Sequence, residues 1–258
     1  MPVLALHGWL DNAASFLPLA HHLPGVRLVA LDFPGHGHSD WRQGALWYHY
    51  IDYVWDVISA AEQLGWNRYH LLGHSLGAAV VSAVAAARTD DILSLNLIEA
   101  IGPLAEDESA TAQRLARACE DLQKHGSRSP PVYDDVDKLV RARALKGGID
   151  MDSSRLLVNR NLLRDGEKWQ WRSDPRLMLA SPVRMTENQI LDLLCAVQSP
   201  TILIEAVPSI GVFDEATLAA RNAAIRPRKH LKMDGHHHLH MASPGPVAAA
   251  IMENINGG

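Results

Sequence analysis

The sequence predicts an α/β fold: a mostly parallel, doubly wound sheet with a helical insertion. Three observations carry this. Short apolar runs rich in branched residues end repeatedly at Gly, Pro or an acid, and they are continuous rather than alternating, as in strands buried on both faces. Stretches with helical spacing lie between them, which is the βαβ rhythm of a parallel sheet. The alternation then breaks between about 103 and 198, where the chain turns helical and more charged. This divides the chain into a core of residues 1–102 and 199–258 and a helical cap of 103–198.

The predicted strands are "VLALHG" (3–8), "VRLVALDFPG" (26–35), "YHLLGHS" (69–75), "LSLNLIEAIGP" (93–103), "PTILIEA" (200–206) and, more weakly, "KHLKMDG" (229–235). Between the second and third, residues 48–65 place Ile51, Val54, Trp55, Ile58, Ala61 and Glu62 at helical spacing and stop at Gly65. Residues 76–87, "LGAAVVSAVAAA", are apolar nearly all round and predict a central, buried helix. In the cap, residues 109–126 carry a stripe of Ala112, Leu115, Ala116, Cys119 and Leu122. Residues 134–148 form a second amphipathic stretch ending in Gly-Gly, "WQWRSDPRL" (169–177) holds two tryptophans, and "TENQILDLLCAV" (186–197) opens with helix-start chemistry.

Composition narrows the function classes. A chain of 258 residues has ample length for a buried core, and a formal charge of -5 points away from nucleic acid and from a basic membrane-facing surface. Two cysteines, Cys119 and Cys195, make no disulfide framework and read as free thiols in a reducing compartment. The start "MPVLALHGWL" lacks the basic and apolar regions of a signal peptide, and no apolar run is long enough to span a bilayer. These features predict a cytoplasmic protein.

The chemistry-bearing stretch is "HLLGHSLGAAV" (70–80), which sets Ser75 in Gly-His-Ser-Leu-Gly. Roughly one chain in ten of this size carries G-x-S-x-G by chance. Here a strand runs directly into the motif and a helix leaves it, the strand–turn–helix in which a strained turn presents a serine hydroxyl. Gly73 and Gly77 leave room for that turn. "LHGW" (6–9) ends the first strand, and the N–H groups of Trp9 and Leu76 are candidate oxyanion donors. "GHHHLHMASP" (235–244) supplies histidines after the last strand.

Taken together, "LHGWLDNAASF", "LDFPGHGHSD", "GHSLGA" and "WQWRSDPRL" resemble the α/β-hydrolases and, within them, the serine hydrolase-like proteins, over nearly the whole chain. The resemblance implies a Ser-His-acid hydrolase or carboxylesterase, with a cap over its site and no cofactor. It also implies the base, since the superfamily's histidine usually stands seven residues before a proline. Counting back from Pro244 gives His237, with His236 and His238 as neighbours. Reading His236 and His240 as a metal pair requires a helix, and Gly235 and Pro244 argue for a loop, so no metal is expected.

Two places remain open for the acid. Many relatives carry Asp after the strand "PTILIEA", but Ser209 stands there, leaving Asp214 or Glu205 nearby. Some haloalkane dehalogenases instead use a glutamate 24 residues after the nucleophile, and Glu99 has that spacing from Ser75. A glutamate ending an apolar strand is also costly to bury unless paired. Glu99 is therefore the first expectation and Asp214 the alternative.

The expected substrate is a small to medium carboxylic ester, with Trp169 and Trp171 either lining its pocket or filling the cap. A lactone or carbon–carbon bond hydrolase is the nearest enzymatic alternative, and a ligand-binding protein on a hydrolase scaffold the non-enzymatic one. Relatives begin with two strands before the one ending in "LHGW", and these are not present in this sequence. Leu28, Val29, Ala30 and Leu31 are thus expected on an open sheet edge, which predicts pairing with a second copy as a homodimer.

Overall fold

The structure, a computed structural model, describes residues 1–44, 46–125, 131–208 and 211–257. Ser209, the position where the acid is usual, lies outside them. The described strands are β1 (Pro2–Leu6), β2 (Arg27–Leu31), β3 (Tyr69–His74), β4 (Ile92–Ile98), β5 (Leu162–Asp165), β6 (Lys168–Trp171), β7 (Thr201–Val207) and β8 (Lys229–Asp234). The helices are α1 (Leu17–Ala20), α2 (Tyr50–Gln63), α3 (Leu76–Ala87), α4 (Thr111–His125) and α5 (Val136–Gly147), then α6 (Met151–Arg160), α7 (Glu187–Cys195), α8 (Glu215–Ile225), α9 (Leu239–Ala242) and α10 (Pro244–Asn256).

All six predicted strands form one sheet in the order β2-β1-β3-β4-β7-β8, with every pairing parallel. Both faces are covered, as the continuous apolar runs require. Leu4 and Leu6 of β1 point into one core layer with Val57 of α2, Val80 of α3 and Ile190 of α7. Their neighbours Val3 and Ala5 point into the opposite layer with Leu19, Val247 and Ile251. Leu71 and Leu72 of β3 divide between the layers in the same way, because successive strand residues alternate faces. Helix α3 is buried all round from Gly77 to Ala85, where it lies against the sheet beneath α2 and α7.

Edge strand β2 is only half-buried from Leu28 to Leu31. Helix α2 differs from its predicted face. Tyr53, Val54, Val57, Ile58 and Ala61 are buried, while Ile51 and Trp55 point to solvent at 53% and 64% exposure. The core side is therefore centred on Val54, Val57 and Ile58, one step round from the expected stripe.

The insertion between β4 and β7 holds α4, α5, α6 and α7, as expected in type, with two corrections. It is not purely helical: β5 and β6 form an antiparallel hairpin around Gly166, whose φ of 60° suits a tight turn. A glycine opening a two-residue loop, here Gly166-Glu167, is a hairpin signal that helical periodicity passes over. Helix α7 carries the predicted start, a capping box between Thr186 and Gln189. It packs on α3 and α8, and Ile190 and Leu194 belong to the main core. The expected stripe of α4 is also not a buried face: Leu115 is 49% exposed, Ala112, Ala116 and Cys119 are exposed, and Ala118 is the buried residue.

Candidate active site

Strand β3 ends at His74, helix α3 begins at Leu76, and Ser75 is the hinge, with φ 53° and ψ -115°. That backbone conformation is strained for a residue with a side chain, so the surroundings must enforce it. They do so by close approach. A Cβ on Gly77 would fall 1.9 Å from the Leu6 carbonyl oxygen, and one on Gly73 would fall 2.5 Å from the Ala78 backbone. The Ser75 N–H is fixed by the Ile98 carbonyl at 2.9 Å.

Glu99 follows β4 directly and also has a positive φ, 62°. Its N–H donates to the Ile204 carbonyl at 2.9 Å, which turns the side chain into the sheet end. The carboxylate is buried, yet both oxygens have donors. Oε1 accepts from the Ala206 N–H, and Oε2 accepts from His237 Nδ1 at 3.0 Å. A carboxylate can only accept, so Nδ1 carries the hydrogen and the lone pair of the neutral ring lies on Nε2. His237 sits in the loop after β8, and that loop is tied to the elbow: His74 Nε2 donates to the His237 carbonyl at 2.8 Å.

The oxyanion candidates sit at two turns. Leu76 opens α3, so its N–H is one of the first-turn donors left without an intrahelical acceptor. Trp9 is the second residue of a turn closed by Asp11 N–H to the Gly8 carbonyl at 3.1 Å, with Leu10 at φ 60°. His7 anchors this turn, accepting from Phe33 N–H at 3.0 Å and donating to the Gly8 carbonyl at 2.8 Å. The Trp9 indole reaches the cap, donating to the Leu177 carbonyl at 3.1 Å.

The other acids and the tryptophans have different tasks. Asp214 is exposed and caps α8 by accepting from Thr217 N–H at 2.7 Å. Glu205 pairs with His230 across β7 and β8. Neither is the acid joined to His237. Trp169 and Trp171 pack on Val140, Val158 and Leu162 in the cap's own cluster. Trp169 exchanges backbone hydrogen bonds with Tyr133, and the Trp171 ring lies edge-on to the Tyr133 ring. A cavity of about 350 Å³ lies between Gly148, Ile149 and Asp150 of the insertion and His236, His238 and Ala242 of the histidine loop, and its lining includes neither Ser75 nor His237.

Several buried polar residues here have no local sequence signal. Arg221, fully buried, donates to the carbonyls of Ile101 and Pro103 at 2.8 Å each and to both oxygens of Glu187. It clamps the chain leaving Glu99 to the start of α7. Asp32, in the loop after β2, accepts from Ala13 and His38 N–H groups and from Arg160 of the cap. Asp174 of "RSDPRL" binds the Tyr48 hydroxyl at 2.7 Å, and its N–H donates to the Gly35 carbonyl at 2.8 Å, so the cap docks on the "FPGHG" loop.

Burial holds a set of histidines neutral. It pushes His36 and His240 down to about 3 and His74 well below the ordinary range. Burial also pushes the Asp11 carboxyl up, but His238 and Arg143 more than offset it and leave the group below the usual carboxylate range.

Comparison with known proteins adds four findings. A family model described as the alpha/beta hydrolase fold matches residues 1–120. A serine hydrolase-like protein of Dictyostelium discoideum is 30% identical over 97% of this chain and 74% of its own length. Among solved structures, a hypothetical protein from Pseudomonas aeruginosa PAO1 superposes with a TM-score of 0.91 at 37% identity, covering 99% of this chain and 90% of that one. The thioesterase domain from the curacin biosynthetic pathway superposes with a TM-score of 0.82 at 26% identity, covering 97% and 90%.

Proposed function

This chain belongs to the α/β-hydrolase superfamily, and from that premise we propose a serine hydrolase that cleaves small to medium carboxylic esters through an acyl-enzyme on Ser75. The observation that carries the reading is the buried Glu99–His237 hydrogen bond, in a loop bonded to the residue before Ser75.

In the proposed cycle, His237 Nε2 accepts the Ser75 proton as Oγ attacks the ester carbonyl. The N–H groups of Trp9 and Leu76 stabilise the oxyanion. Glu99 keeps the imidazole in the Nδ1–H tautomer and stabilises its charged form. His237 then gives its proton to the leaving alcohol, and the same residues activate water to release the acid. Each step uses side chains and backbone of this chain, and none calls for a cofactor.

The likeness to a thioesterase domain favours thioesters as a second substrate class on the same acyl chemistry. A fluorophosphonate probe tests the reading: the chain is expected to label, and Ser75→Ala is expected not to. A folded wild-type chain that stays unlabelled and turns over no ester, thioester or lactone would leave a hydrolase fold without this chemistry.

A further inference from the structure

Beside the elbow lies a second buried cluster that the proposed cycle does not use. Asp11 comes from the turn after β1, His74 ends β3, and His238 follows β8. They are 1%, 0% and 6% exposed. One ligand atom from each lies within 4.8 Å of the others. His238 Nε2 stands 3.0 Å from Asp11 Oδ2, and His74 Nδ1 stands 3.7 Å from the same oxygen.

The hydrogen positions at His74 follow from its partners. Its Nε2 faces the His237 carbonyl, which can only accept, so Nε2 carries the hydrogen. The ring is fully buried, and with the hydrogen on Nε2 the lone pair of the uncharged imidazole lies on Nδ1. That Nδ1 has no hydrogen-bond partner among the described residues, and it looks at a carboxylate oxygen. Two electron-rich atoms facing each other out of water are poorly matched unless a positive charge lies between them. The space is kept open by a glycine: a Cβ on Gly8 would fall 3.0 Å from both Asp11 Oδ2 and His74 Nδ1.

We propose that Asp11, His74 and His238 form a binding site for a divalent transition-metal ion of the zinc class. Two imidazole nitrogens and one carboxylate suit zinc, cobalt or nickel better than magnesium or calcium, which favour all-oxygen sites. Ligand bonds of about 2.0–2.1 Å put tetrahedral donor atoms roughly 3.3 Å apart. The observed 3.0 and 3.7 Å bracket that spacing. The outer contacts are those of a ligand set: His74 is oriented by a backbone carbonyl, and Asp11 Oδ1 is held by Arg143. His240 walls the cluster, its ring 4.2 Å from that of His74.

One feature of the site limits its affinity. His238 Nε2 donates to Asp11 in the metal-free form, so binding must move that hydrogen to Nδ1, which is buried without a partner. No proton is released, but a buried donor is left unsatisfied. Micromolar rather than tighter binding is expected. An ion there would tie together the segments that carry Trp9, Ser75 and His237, and should raise the melting temperature.

The test uses the full chain, stripped with a chelator and titrated with zinc chloride by calorimetry and thermal shift, with magnesium chloride in parallel. One zinc ion per chain, a higher Tm and no response to magnesium are expected. Asp11→Asn and His238→Gln should each weaken zinc at least tenfold. Replacing the exposed pair His21 and His22 by alanine should not, which separates this site from surface histidines. If a variant fails to fold, ¹⁵N-histidine spectra of the wild-type chain decide, since zinc should shift the His74 and His238 ring signals first. Zinc binding that is absent, equal in all variants or first seen at other histidines would overturn the proposal.

Discussion

A single added carbon at Gly77 would fall 1.9 Å from the Leu6 carbonyl oxygen, whereas at Gly148 and Gly166 in the cap it would meet nothing within 4 Å. The same contrast holds for side chains. Around Ser75 the strand, the helix and the histidine loop are buried and cross-bonded. In the cap, Leu115 of α4 and Leu145 of α5 are 49% and 87% exposed. The elbow is over-determined, because its strained backbone persists only where several neighbours enforce it. The cap is held on by a few ion pairs and hydrogen bonds, such as Arg143–Asp11, Arg160–Asp32 and Asp174–Tyr48. On the proposed function, chemistry resides in the part that tolerates no change and selectivity in the part that does.

The largest test of that division lies at the elbow. Ser75→Ala and His237→Ala are each expected to lower ester turnover by roughly 10⁴-fold or more, with the fold kept by circular dichroism. The double variant should be little worse than either single one, since the two act as a unit. Near-normal turnover in His237→Ala, with loss in His236→Ala, would move the base to the neighbouring histidine.

The two candidate acids divide along the same line. Glu99→Gln keeps the shape but returns a neutral amide to a buried site and removes the charge opposite the imidazole. Turnover at neutral pH should fall by at least roughly 10²-fold, up to the 10⁴ known for an Asp→Asn change in a related triad. Asp214→Asn should leave turnover almost unchanged and cost at most about 1 kcal/mol of stability, because Asn also caps helices well. A crippled Asp214→Asn beside an active Glu99→Gln would reverse the assignment.

The difference between the regions also explains what the sequence could reveal. The six strands were legible because burial on both faces leaves a continuous apolar run, and α3 because it is apolar on every side. Gly73 and Gly77 were legible because close approach excludes a side chain. The pairing of Glu99 with His237 spans 138 residues. It could be anticipated only through the spacing shared with relatives, with Asp214 left open. Asp11, Arg143 and Arg221 had no such signal, since their partners are far away in the chain and a single charged residue has no periodicity. The α4 reading failed for a physical reason: an amphipathic stripe identifies a helix but not what it faces. Thus α4 exposes its stripe, and Trp169 and Trp171 fill a small local cluster.

Acid should weaken the histidine-rich core before Asp11 and Asp32 titrate. His36 and His240 are held at about 3 against 6.5 for the free side chain. The unfolded chain therefore binds protons that the folded chain refuses, and stability falls as pH drops below 6.5. Asp11 and Asp32 are shifted the other way, so their contribution is present above about 4 and is lost only below it. Between pH 7.5 and 5.5 the two histidines should cost on the order of 2–3 kcal/mol together, roughly 5–10 °C in Tm for a domain of this size. His240→Asn and His36→Asn should each flatten the slope. A Tm that stays constant down to pH 5 would mean these rings are more open to water than their burial indicates.

The smallest expected effect on catalysis is the one that tests the cap reading directly. Trp169→Ala and Trp171→Ala remove large rings from a cluster whose buried members, among the described residues, are Val140, Val158 and Leu162. Both tryptophans are half-buried, so the cost should sit toward the low end for large-to-small changes, on the order of 1–3 kcal/mol, and fall on the cap. Protease nicking and hydrogen exchange should increase between α5 and β6, while the core strands stay protected. With short-chain esters, kcat/KM should change less than tenfold, because both rings pack within the insertion's own cluster. A selective loss of kcat/KM for bulky acyl chains, with cap protection unchanged, would return the tryptophans to the substrate. The cap would then resemble the elbow more than its packing suggests.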